Sequence, residues 1–187
     1  ISIIIILSSY GMFSILCLSF LLFGSCKLET KKEAQEISTR DFQYLKNSAS
    51  GNTSLPRLFS AENKLFLSWV EEKDSLTILN YDVFENGSWK DSEEIISGSN
   101  WFTNWADFPT IAVSSNGNIL TSFLEKSAKE TYTYDIKLNL YNAATNSWKK
   151  NFILHNDATK SEHGFVSIVP YSDNSFQVVW LDGRETA

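Results

Sequence analysis

Three runs of the chain share one pattern of apolar and polar positions. Leu65-Phe66-Leu67-Ser68-Trp69-Val70-Glu71 aligns without a gap with Ile119-Leu120-Thr121-Ser122-Phe123-Leu124-Glu125, and again with Phe176-Gln177-Val178-Val179-Trp180-Leu181-Asp182. The spacings are 119 − 65 = 54 and 176 − 119 = 57. Each run has the length of a strand, with an aromatic at its fifth place and an acid at its seventh. A turn precedes each one, at 60–63, 114–117 and 172–175, and a shorter apolar run precedes each turn: Leu58-Phe59, Ile111-Ala112-Val113 and Val166-Ser167-Ile168-Val169. The pair Asn116-Gly117 predicts a two-residue hairpin turn, because both positions tolerate positive φ. A second half of the unit repeats as well. Residues 76–84 alternate in part and 135–141 cleanly, and they lead to Trp89 and Trp148, where 148 − 89 = 59.

Four short strands in about 55 residues is the pattern of a β-propeller blade. Helical repeats of that length need apolar positions at i, i+3 and i+4, which the chain lacks. The expected fold is all-β, a partial β-propeller over 55–187. Its blades are two four-stranded units at 55–100 and 101–158 and half of a third at 159–187. Six blades would need roughly 330 residues, so the chain reads as the N-terminal part of a longer protein.

Before the repeats the texture differs. Residues 1–25 contain no charge, and about 20 apolar residues suffice to span a bilayer as a helix. The run ends Leu22-Phe23-Gly24-Ser25-Cys26 and turns polar at Lys27. Two small residues directly before a Cys resemble the lipobox of bacterial lipoproteins, with Phe23 where Leu is usual. That resemblance implies a signal peptide over 1–25, cleavage before Cys26, a lipid on its thiol and a place on the bacterial cell envelope. The alternative is an uncleaved apolar helix with an incidental Cys. Residues 26–54 are polar and without sustained period, which fits a tether, with the part around 40–46 ordered against the domain.

Composition narrows the function classes. The 187 residues carry a net charge of -6, so a nucleic-acid backbone is excluded as a partner for want of clustered Lys and Arg. Cys17 and Cys26 stand at the extreme N-terminus and the rest has no thiol, which leaves the domain without a disulfide framework or a Cys-based metal site. His155 and His163 are 163 − 155 = 8 apart in an expected loop, without ligand spacing. No metal and no cofactor are expected.

Asn104-Trp105-Ala106-Asp107-Phe108-Pro109 entering a strand, the Ser-rich turns, and Val179-Trp180-Leu181-Asp182-Gly183-Arg184 resemble sialidase-like propellers of the bacterial neuraminidase repeat type. The turns lack the Thr-Trp end of the family's Asp-box and stand between the first two strands of a unit, where the family joins the last two. The resemblance implies glycan recognition and, where catalysis occurs, arginines gripping a sugar carboxylate, an Asp acid/base and a Tyr activated by a Glu. Carried onto this chain it offers Asp107 as acid/base and Arg57, Asn104, Trp105 and Arg184 as substrate-binding residues. Pro56-Arg57-Leu58 does not keep the order of the family's Arg-Ile-Pro motif. Glu71, Glu125 and Asp182 recur at one repeat position and read as a shared structural feature. Trp69, Phe123 and Trp180 read as core, as do Trp89 and Trp148, whereas Trp101 and Trp105 do not recur and are offered as a ligand platform. Three functions compete: a non-catalytic glycan-binding propeller, a sialidase-type glycoside hydrolase, and a protein-interaction propeller.

Overall fold

The computed structural model describes residues 43–185. The expected signal peptide, Cys26 and most of the tether lie outside those residues. Residues 43–52 form no strand. Ser48 fastens this segment to the first sheet, its Oγ donating to Asp82 Oδ2 at 2.5 Å. The first strand begins at Thr53 and so takes in the last two residues assigned to the tether.

The described residues form strands and no helix. In the first sheet β1 (Thr53–Ala61), β2 (Lys64–Lys73) and β3 (Leu76–Glu85) run as an antiparallel meander. Two short strands, β4 (Ser88–Trp89) and β5 (Glu93–Gly98), follow one another along the far edge of β3. The second sheet holds β6 (Trp101–Phe102) and β7 (Thr110–Val113) in line along one edge of β8 (Ile119–Lys126), then β9 (Tyr134–Asn142) and β10 (Ser147–Ile153). The third is the hairpin β11 (His163–Ser172) with β12 (Ser175–Asp182). These are separate sheets, and the described strands close no barrel.

The hairpin turns follow local chemistry. Glu62-Asn63, Asp74-Ser75 and Asn86-Gly87 each join two strands with both residues at positive φ, the turn whose twist matches that of the strands. Asn116-Gly117 is different. Of that pair Gly117 alone takes positive φ, at 83°. Ser114 N bonds Asn118 O, and Gly117 N bonds Ser114 O, both at 2.9 Å. The turn is therefore a three-residue loop with Gly in the left-handed position, rather than the expected two-residue turn. Ser114 Oγ donating to Asn116 Oδ1 at 2.7 Å supports the longer form.

Alternation places the core between the sheets. Phe66, Leu79, Tyr81 and Ile95 of the first sheet meet Ile111, Val113 and Ile119 of the second, with Tyr141 and Trp148 packed beside them. The opposite face of the second sheet, with Leu120, Leu124, Ile136 and Leu138, meets Ile168, Phe176, Val178 and Trp180 of the third. The three sheets thus stack in chain order, with the short strand β7 between β1 and β11. Each buried Leu, Ile or Phe contributes about 1.5–3 kcal/mol, so this stacking is the main source of stability.

One irregularity recurs in every first strand. Ser54 pairs with Val70 and Arg57 with Ser68, so Leu55-Pro56 oppose Trp69 alone. Gly164 pairs with Leu181 and Ser167 with Val179, so Phe165-Val166 oppose Trp180 alone. In the second sheet Phe102 pairs with Leu124 and Thr110 with Ser122, so all of 103–109 opposes Phe123 alone. A two-residue bulge in the outer copies is a seven-residue excursion in the middle one. Leu55 and Phe165 hold positive φ, both at 53°, a conformation that bulky side chains rarely adopt.

Candidate functional site

The excursion carries three of the expected site residues, and its own hydrogen bonds shape it. Asn104 Oδ1 accepts the backbone N–H of Ala106 and of Asp107, both at 2.7 Å, and Asn104 N donates to Asp107 O at 3.1 Å. This is an Asx-type turn. The Asn104 side-chain oxygen is thus engaged in shaping the loop. The turn throws Trp105 outward, 87 % exposed, and Asp107 inward, 3 % exposed.

Asp107 lands on the bulge of the third sheet. Its Oδ1 accepts the Phe165 N–H at 3.0 Å, and the Tyr134 hydroxyl stands 3.4 Å from its Oδ2. The one proton of that hydroxyl is shared with Glu162 Oε1, the nearer acceptor at 2.8 Å. Burial pushes the Asp107 carboxyl above its ordinary range against the opposing effect of the Phe165 and Tyr134 hydrogen bonds. Burial and the Glu162 hydrogen bond likewise push the Tyr134 phenol up. Gly164 makes the approach possible, since a Cβ there would overlap Asp107 Oδ2.

Above this network lies a recess of about 200 Å³ to which all three inner strands contribute. β1 supplies Arg57, the excursion supplies Ala106, Asp107 and Phe108, and β11 supplies Phe165 and Val166. The Arg57 guanidinium stands 5.9 Å from the centre of the Phe108 ring, within cation–π range. It has no carboxylate partner among the described residues. Arg57 and Asp107 thus meet at one end of the inner strands, and Trp105 stands on the same excursion.

Arg184 is elsewhere. Its Nε and Nη2 donate to the two carboxylate oxygens of Asp182 at 2.8 and 2.7 Å, and its Nε lies 3.3 Å from Asp157 Oδ2. This guanidinium, paired with two carboxylates in a charge network, does not line the recess. The same network contains the two histidines. Their rings stack at 3.8 Å and 13°. Asp157 is 2.7 Å from His155 Nδ1 and 3.1 Å from His163 Nε2. His155 Nε2 accepts the Ile136 N–H at 3.3 Å, so its Nδ1–H is the donor to Asp157. Both nitrogens of His163 face oxygen, with Nδ1 3.3 Å from the Tyr134 carbonyl. Sequence spacing gave no sign of this pairing, because it arises where the β10–β11 connection packs on β9, whose Ile136 N–H and Tyr134 carbonyl face the two rings. An ion lies in the plane of each imidazole that binds it, and two near-parallel stacked rings share no such point. Between Asp157 and Asp182 the cation is already supplied by Arg184.

The recurring acids behave as repeat features. Glu71 accepts from Asn80 Nδ2 at 3.2 Å, Glu125 pairs with Lys137 at 3.3 Å, and Asp182 pairs with Arg184. Trp101 stacks on Phe123 at 4.3 Å and packs on the first core, which removes it from the ligand platform and leaves Trp105. No known protein family, no curated protein and no solved structure matches the chain.

Proposed function

We propose that the chain is a glycan-recognising module, its three sheets being consecutive blades of a sialidase-like β-propeller. The observation that carries this reading is the recess at the head of the inner strands. It joins an unpaired guanidinium to aromatic walls and lies beside an exposed Trp on an excursion that the other two sheets lack. A flat aromatic with one orienting charge suits a sugar ring bearing an acidic substituent. Binding is favoured over catalysis because the Asp107 carboxylate is turned inward and occupied by Phe165 and Tyr134.

The test is a glycan array followed by titration calorimetry on the best ligand. Trp105→Ala and Arg57→Ala are each expected to weaken binding at least tenfold, with Arg57→Ala sparing neutral glycans. An array without any saturable ligand, or affinities unchanged in both variants, would overturn the reading. The glycoside hydrolase remains the second reading, because Asp107 with a raised carboxyl stands beside a Tyr134–Glu162 pair. Release of fluorophore from an aryl sialoside, abolished in Asp107→Ala, would favour it.

Lipidation at Cys26 would display the module on a bacterial envelope membrane. Labelled palmitate should enter the wild-type chain and not Cys26→Ala. Unchanged detergent-phase partition of Cys26→Ala would mean an uncleaved helix instead.

A further inference from the structure

A larger cleft lies at the other end of β7, between the first and second sheets. Thr110 at the start of β7 borders the recess described above, whereas Val113 at its end borders this cleft. Its volume is about 690 Å³, within the range of small-molecule sites, roughly 300–1,000 Å³. Its floor is the edge of the first core, where the largely buried Phe66, Tyr81, Val113 and Ile119 present a narrow apolar surface beside the half-buried Tyr141. We propose that this cleft is a second ligand site, for an ammonium group carried on an apolar stem.

The cavity and its aromatic lining make the site, and the charges on its wall select the ligand. Lys64 and Lys90 are both spent on Glu85, at 2.8 and 3.3 Å. Glu62 and Asp91 line the cleft as well and have no ion-pair partner among the described residues. Glu93 accepts the Tyr81 hydroxyl at 3.1 Å, which aims a further carboxylate at the aromatic side. Asp82, also on the wall, is occupied by Ser48 and the Val83 N–H. An anionic ligand would meet this surplus of carboxylates. A neutral apolar ligand would displace water from them and offer nothing in return. An ammonium on an apolar stem answers both, with the stem on the aromatic lining and the charge toward Glu62, Asp91 and Glu93. The site is separate from the glycan recess, and its fate does not depend on that reading.

The experiment is a titration of the full chain with phenethylammonium, followed by amide chemical shifts, with 3-phenylpropionate and 2-phenylethanol as matched anionic and neutral probes. Saturable shifts at Gly117 and Ile119 are expected for the ammonium. Its affinity should exceed that of the alcohol at least fivefold, and the propionate should give no saturable shift. The double variant Glu62→Gln, Asp91→Asn alters two exposed side chains and should erase the preference for the ammonium while leaving the spectrum folded. Competition by a lysine-containing tripeptide would assign the ammonium to a protein side chain, and lack of competition to a free amine. Equal affinity for alcohol and ammonium, no saturable shift, or shifts confined to the Asp107 recess would each overturn the proposal.

Discussion

A carboxylate removed from water needs partners or loses its charge, and Asp107 meets both conditions. Phe165 N–H and the Tyr134 hydroxyl favour the ionised form, while burial opposes it more strongly and the carboxyl titrates high. A group whose folded pKa is raised contributes stability below its unfolded value, about 3.9. That contribution is lost as pH rises through the higher folded value. Asp107→Asn keeps an oxygen for the Phe165 N–H and discards the charge, so stability at pH 7 should hold or rise. Asp107→Ala removes the partner of the Phe165 N–H and should cost about 1–3 kcal/mol. Urea denaturation of both variants at pH 4 and pH 7 measures this, and an Asn variant as damaged as the Ala variant would show that the charge itself is required. That Asp107 stands in a stretch the other repeats do not share was legible in the sequence. The inward turn of its side chain was not. That depends on Asn104 folding the loop and on Gly164 leaving space in a strand of another sheet.

Strands were far more legible than the turns and loops between them. The runs at 65–71, 119–125 and 176–182 lie in β2, β8 and β12 because short apolar runs rich in aromatic and β-branched residues, bounded by turns, are a local strand signal. The contact between His155 and His163 has no such local signal, because it depends on how the β10–β11 connection packs on β9. The turns allow a clean test of local chemistry. Gly87 has φ of 82° and nothing within 4 Å of where a Cβ would be. Gly87→Ala should therefore cost only the left-handed conformation, about 1–2 kcal/mol, in a thermal or urea midpoint, and the cross-peaks of neighbouring strands should stay in place. A larger loss or a rearranged spectrum would mean that the turn serves in packing too.

At the scale of the whole molecule, apolar stacking holds the sheets together, and the second and third are also joined by charge. The Thr159 hydroxyl, then His155 and His163, hold the Asp157 carboxyl far below the usual range, and Arg184 does the same for Asp182. A depressed carboxyl contributes stability above its unfolded value, about 3.9. This stability disappears as pH falls through the lower folded values. The third sheet should thus be the first to loosen in acid. Hydrogen exchange corrected for intrinsic rate should show β11 and β12 losing protection as pH falls from about 4 toward about 1.5, ahead of β2 and β3, and Asp157→Asn should reduce that difference. Simultaneous loss in all three sheets would refute it. The bulge common to the three first strands has a consequence of another kind. Two residues at 55–56 or 165–166, and seven at 103–109, leave the flanking register with the second strand the same. Chain length at this point is therefore uncoupled from the sheet. Loops of new length grafted between Ser54 and Arg57 could diversify the rim while the scaffold beneath is inherited unchanged.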